Sequence, residues 1–251
     1  MIIPIGDDNR DRRTTPYVTY IFIAVNILVF VFLQGLGQNV DFTYSLSTVP
    51  EEILTGQDLV TEGRVVQDPR SGRQVRQPGL GPTPITVYIT LITSMFMHGG
   101  FAHILGNMLY LFMFGDNIED RLGHGRYAVF YLLTGVLASL AHVFTTAALG
   151  GNTMVPSLGA SGAISAVLGA YLVLFPKKRV YVILIRFVTA VPAIVAIGIW
   201  IVFQLVRGLG ALGGGAGVAY AAHIGGFIAG LALIKLFEPG QRPSRRGSPR
   251  R

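Results

Sequence analysis

Long apolar runs alternate along this chain with short polar or glycine-rich breaks. The first run, Pro16–Leu33, follows a polar arm (residues 1–15) carrying Arg10, Arg12 and Arg13. It is long, and Leu36-Gly37-Gln38 is a poor cleavage site, so it predicts a retained helix rather than a signal peptide. Residues 34–84 form a long polar connection. Its later part, 61–84, is rich in Gly, Pro and Arg and predicts a mobile loop, while Val49–Leu54 fits a short interfacial helix. The second run, Ile85–Gly115, exceeds one span: its first half reads as a surface or re-entrant piece and Phe101–Phe114 as the helix proper. A charged turn, Asp116–Arg126, leads to a third span, Tyr127–Leu149. A Gly/Pro/Ser loop (150–159) precedes the fourth, Ser161–Phe175, and a basic segment (176–186) the fifth, Phe187–Val206. A glycine loop (208–217) precedes the sixth, Val218–Phe237, and a basic tail (238–251) is expected to be disordered. The pattern predicts an all-α polytopic membrane protein: a six-helix transmembrane domain over residues 16–237, with a long first outer loop at 34–84.

Composition agrees. The chain is 51% hydrophobic and 13% charged, where a soluble domain carries about 25% charged residues. Its 32 glycines suit close packing of membrane helices. The absence of cysteine excludes disulfides and thiol nucleophiles. A net charge of +7 would suggest nucleic acid in a soluble protein. Here the basic residues gather in the arm, the turn after the second span, the segment after the fourth and the tail, so the positive-inside rule is the simpler cause and no nucleic-acid partner is expected. That rule puts both termini in the cytoplasm and residues 34–84 outside. A bacterial-type plasma (inner) membrane is the plainest location.

Pro156-Ser157-Leu158-Gly159-Ala160-Ser161-Gly162-Ala163 is an odd stretch to find in a bilayer. The fourth span is about 22 Å long at 1.5 Å per residue, against a hydrocarbon core of about 30 Å. Pro176-Lys177-Lys178-Arg179 pins its cytoplasmic end, so Ser161 begins below the outer surface and the preceding loop dips inward. Irregular backbone at that depth must be buried in protein or face water. Ser161 is thus expected at a helix N-terminus in a wet pocket, where free backbone amides suit an oxyanion. On spacing alone a packing role is the better single explanation, because Ser161, Ser165 and Gly169 form a small-residue stripe, and packing and function are compatible.

Of five histidines, His124 reads as solvated in a turn and His142 as a packed side chain. His223 lies about 8 Å into the sixth span, on the same half of the membrane as Ser161. Ala222, Gly226 and Gly230 let that helix come close to another, so a hydroxyl nucleophile and an imidazole base can meet. No carboxylate lies on the outer half of a span, and Asp116 is about 20 Å from His103 toward the cytoplasm. The expectation is a dyad. His103 and Asn107 share one helix face at i, i+4 and suit either an oxyanion hole with the Ser161 backbone amide or a polar bridge between helices. A metal site of His98, His103 and His223 is disfavoured, since no H-E-x-x-H and no nearby acid accompany it.

Together these residues resemble the rhomboid family of intramembrane serine proteases. Gly159-Ala160-Ser161-Gly162 matches the family's GxSG, and Ala222-His223-Ile224-Gly225-Gly226 with Gly230 its AHxGGxxxG. His103 with Asn107 matches HxxxN, His98 the upstream histidine, and Glu119-Asp120-Arg121 its ExR. The resemblance implies Ser161 as nucleophile and His223 as general base, with His103, Asn107 and the Ser161 amide stabilising the oxyanion. His98, Gly159 and Gly162 would support the site, and Glu119, Arg121, Gly226 and Gly230 would be structural. It further implies transmembrane protein substrates, cut within or near the outer end of their membrane helix and entering sideways near spans five and six, with no metal or cofactor needed. Two alternatives remain. A non-catalytic relative escorting membrane clients typically lacks the serine or histidine. A transporter or channel would show repeated span patterns. Oligomeric state is not legible.

Overall fold

The computed structural model of the chain describes residues 2–67, 72, 74–184, 187–211 and 218–239. Six apolar helices stand where the six runs predict them. They are α1 (Tyr17–Leu28, continued by a π-helical turn, Val29–Leu33), α5 (Phe101–Leu122), α6 (His124–Ala148), α7 (Ser161–Leu174), α8 (Ala193–Ala211) and α9 (Val218–Phe237). Two of them, at His124–Ala148 and Tyr220–Phe237, are long and apolar enough to cross a membrane. A third joins them if the bent pair Val87–Phe96 and Phe101–Leu122, angled at 81°, is one broken span. The helices at 17–33, 161–174 and 193–209 are apolar but shorter.

The chain is not all-α. Strand β1 (Ile2–Asp7) pairs antiparallel with β4 (Arg179–Leu184), which pairs with β5 (Phe187–Pro192), giving a three-stranded sheet in the order β1-β4-β5. The arm is thus folded onto the segment that follows α7. Asp7 pairs with Val180, and Leu184 faces Phe187 at the hairpin end. The sheet takes over the first six residues expected for the fifth span, so α8 begins at Ala193. The physical reason is β-branching. Val180, Val182, Ile183, Val188, Thr189 and Val191 favour a pleated ladder, whereas hydropathy alone merges an apolar strand with the helix beside it.

Three further expectations change. Asp116–Leu122 is not a turn but the last two turns of α5, and Gly123 alone separates α5 from α6. Residues 61–84 carry a hairpin, β2 (Arg64–Gln67) with β3 (Gln74–Gln77), closed at its base by Thr61 N–H to Leu80 O, 2.9 Å. The glycine loop starts later than expected, since α8 runs to Ala211; residues 212–217 and the tail from 240 lie outside the described residues. A short helix stands where Val49–Leu54 predicts one, as α3 (Pro50–Thr55), preceded by α2 (Val40–Ser45). The expected re-entrant piece is a run of short turns around α4 (Thr90–Thr93).

α7 is the central element. Its residues 162–171 are all buried, and it lies against α5, α6, α8 and α9. Tyr127, Tyr131 and Tyr171 are among the largest fully buried side chains. At the opposite end from Ser161, Asp7 Oδ2 accepts from Tyr171 Oη at 2.6 Å and Asn117 Nδ2 at 2.7 Å, which seats β1 beneath α5 and α7. Burial pushes the Asp7 carboxyl up to about 6; the Tyr171 hydrogen bond opposes the rise and nearby Asp116 adds to it.

Glu119 is fully buried in α5 and serves as the N-terminal cap of α1. Its carboxylate accepts from Val18 N and Thr19 N, both at 2.8 Å, and from Thr19 Oγ1 at 2.7 Å. Its other contact is His124 Nδ1 at 2.6 Å, so His124 is paired rather than simply solvated. Arg121 does not meet Glu119; it turns out to Glu238, 2.6 Å away.

Candidate functional site: a serine–histidine pair at the head of α7

Glycine on both helices lets α7 and α9 touch backbone to backbone. A Cβ at Gly226 would lie 2.1 Å from Gly162 O, and one at Gly230 would lie 2.0 Å from Ala166 O. Gly162 is also tight, where a Cβ would come within 2.7 Å of Ala138 Cβ on α6. At this separation Ser161, in the first turn of α7, and His223, in the second turn of α9, are in reach: Oγ to Nε2 is 2.7 Å.

The segment before Ser161 is irregular but tied down. Ser157 N–H donates to Thr48 O at 2.8 Å, Thr48 N–H to Ser157 O at 3.0 Å, and Gly159 N–H to Ser94 O at 2.8 Å. Gly159 has φ +121°, a conformation few side chains tolerate. A Cβ there would also lie 2.7 Å from His103 Nε2 and 3.7 Å from Asn107 Nδ2. His103 and Asn107 therefore converge from α5 onto the loop that carries the serine.

Hydrogen bonds set the state of these donors. Gly99 N–H donates to His103 Nδ1 at 3.3 Å, so the His103 proton sits on Nε2, the atom beside Gly159. Asn107 Nδ2 is 2.8 Å from His98 Nε2, which accepts one amide hydrogen and leaves the second. His98 is fully buried, and its backbone is held twice by Gln34: His98 N–H to Gln34 Oε1 and Gln34 Nε2 to His98 O, both 2.9 Å. The first loop thus reaches the α5 pair through Gln34 and His98.

His223 has further neighbours that sequence reasoning missed. Gln204 Oε1 on α8 lies 2.9 Å from Nδ1, and the rings of Trp200 and Tyr220 flank the imidazole at 6.1 and 6.3 Å between centroids. A signal was present: in α8, apolar apart from Gln204 and Arg207, Gln204 is the one amide side chain, and polar groups inside such helices are rarely idle. Ser165, one turn after Ser161, donates back to Ser161 O at 2.6 Å. His142 is packed as expected, buried with Nδ1 3.2 Å from Thr146 Oγ1. Among the described residues no three His, Asp or Glu side chains are grouped to hold a metal ion.

Fold and site define a class: a helical, apolar protein with a serine hydroxyl and an imidazole joined at a helix N-terminus inside the bundle. The family model for the Rhomboid domain matches residues 86–239, and the chain belongs to the rhomboid family of membrane proteins, which are generally intramembrane serine proteases. Among its relatives are "Rhomboid protein 1, mitochondrial" of Saccharomyces cerevisiae, 33% identical over 59% of this chain and 41% of the relative, and "Rhomboid protease GluP" of Bacillus subtilis, 29% identical over 87% and 35%. "RHOMBOID-like protein 5" of Arabidopsis thaliana is 33% identical over 59% and 44%. The chain thus spans less than half the length of these relatives.

Proposed function

We propose that the chain is a serine endopeptidase that cuts transmembrane proteins within or near the outer end of a membrane helix, using Ser161 and His223. The observation that carries the reading is the 2.7 Å Oγ–Nε2 contact, with His103 and Asn107 gathered beside Gly159. His223 Nε2 takes the Ser161 proton as Oγ attacks the peptide carbonyl. The oxyanion receives hydrogen bonds from Ser161 N–H, His103 Nε2–H and Asn107 Nδ2–H. The imidazolium then protonates the departing amine, leaving an acyl-serine. Water, deprotonated by the same nitrogen, releases the acid and restores the hydroxyl.

Both members of the pair are present and hydrogen-bonded, which favours an active enzyme over a client-escorting relative. The six apolar helices are read as six spans. The clustering of basic residues supports reading both termini as cytoplasmic and the site as opening toward the outer face of a plasma membrane. Two independent measurements test the reading. A fluorophosphonate probe is expected to label Ser161 in the wild type and not in His223→Ala, and a co-expressed single-span substrate is expected to be cut by the wild type alone. Cleavage by Ser161→Ala would sink the proposal.

A further inference from the structure

Nε2 of His223 is engaged by the Ser161 hydroxyl at 2.7 Å, and for that nitrogen to act as a base it must carry a lone pair. The ring proton then sits on Nδ1, which needs an acceptor. Gln204 Oε1 lies 2.9 Å from Nδ1. Gln204 is 8% exposed, so its oxygen has little water to turn to. Its neighbours on α8, Phe203 and Leu205, are about half exposed to the apolar surroundings, while Gln204 alone turns inward. Among the described residues no other side-chain hydrogen bond ties α8 to α9; the remaining contacts of this kind are rings, Trp200 against His223 and Phe227.

We propose that Gln204 is the positioning residue of the base: its Oε1 accepts the Nδ1–H of His223, holding the imidazole in the tautomer and orientation that leave Nε2 free to take the serine proton. This rests on the serine endopeptidase reading and deepens it. The third position of a catalytic triad is filled here by a neutral amide rather than a carboxylate. Gln204 stays off the reacting atoms and acts only through the imidazole.

The test uses the full chain in lipid vesicles with a single-span substrate, comparing the wild type, Gln204→Met and Gln204→Glu, with Ser161→Ala as the blank. Met keeps the length but offers no amide oxygen; Glu keeps an oxygen acceptor. Gln204→Met is expected to lower kcat by roughly 10- to 100-fold, by analogy with loss of the hydrogen-bond partner that orients a metal-bound histidine, with KM unchanged. Gln204→Glu is expected to restore most of the loss. Nitrogen NMR of ring-labelled histidine, with His223 assigned through His223→Ala, reads the tautomer directly. The wild type is expected to show protonated Nδ1 and bare Nε2, Gln204→Glu to keep that signature, and Gln204→Met to lose it. A wild-type kcat in Gln204→Met, or an unchanged His223 signature there, overturns the proposal. Because the spectrum needs no turnover, the two readings can fail separately. A tautomer that follows residue 204 in a chain that neither cuts nor takes the probe at Ser161 sinks the protease reading and upholds the tautomer assignment.

Discussion

Gly226→Ala tests whether the backbone contact between α7 and α9 sets the chemistry. The added Cβ would lie 2.1 Å from Gly162 O and 3.2 Å from Ala138 Cβ. An ordinary carbon–oxygen approach is about 3.3 Å, so α9 must withdraw from α7 by roughly 1 Å. His223 is three residues away on the same helix and moves with it. The 2.7 Å contact to Ser161 Oγ then opens beyond hydrogen-bond range. A displacement of that size costs on the order of 100-fold in rate. Stability suffers less: overpacking costs about 1–3 kcal/mol, and the better helix propensity of Ala returns about 1 kcal/mol. The matched control is Gly198→Ala on α8, where a Cβ meets nothing within 4 Å and activity is expected to be kept. Initial cleavage rates in vesicles, probe labelling of Ser161 and thermal unfolding of the same preparations separate rate from fold. A Gly226→Ala protein that cuts and labels like Gly198→Ala would refute the claim that this contact positions the base.

Three more outcomes follow from the same geometry. Gly159→Ala places a Cβ 2.7 Å from His103 Nε2 at a φ of +121° and is expected to slow Ser161 acylation by about 100- to 1,000-fold, the scale of losing an oxyanion donor; wild-type labelling kinetics would contradict it. Glu119→Ala leaves the half-buried Val18 amide and the buried Thr19 amide and hydroxyl without their acceptor, and is expected to cost about 2–4 kcal/mol in unfolding measurements while the folded fraction keeps its kcat. Asp7 has a folded-state pKa raised from 3.8 to about 6, so its contribution to stability is present below about pH 4 and is lost as pH rises through 6. The unfolding free energy of the wild type relative to Asp7→Asn should therefore fall by up to about 3 kcal/mol across that window, and a difference flat with pH would count against a buried, destabilised carboxylate.

Hydropathy made six apolar elements legible because each run is bounded by charge, proline or glycine. It failed where apolar residues belong to strands. The run 187–206 contains both β5 and most of α8, and only the β-branched residues on either side of 185–186 separate the two. It failed also at Asp116–Leu122. Charge there was read as a turn, but Glu119 spends its charge capping α1 and Asp116 meets Arg12 at 2.8 Å, so two more helical turns stay folded. In both places long-range partners decide the local structure, and a sequence window does not contain them.

The site was more legible than the fold around it, because its members lie in short motifs whose spacing encodes one helix face each. The positions of Ser161, His103, Asn107 and His223 are each visible that way; the Gln204 and Gln34 contacts are not, since neither sits in a motif and both act across elements. Gln204 also bears on why a dyad without a carboxylate, as the sequence leads one to expect, can hold its histidine. A carboxylate beside His223 would need charged burial within an apolar bundle, where ionised groups are expensive unless fully paired. An amide oxygen accepts the same Nδ1–H without that burden. On the proposed function it gives up the charge that would stabilise an imidazolium, so more of the transition-state stabilisation would fall on the proposed oxyanion donors, His103 and Asn107. This is consistent with the two side-chain donors, each oriented by its own hydrogen bond, that α5 brings to Gly159.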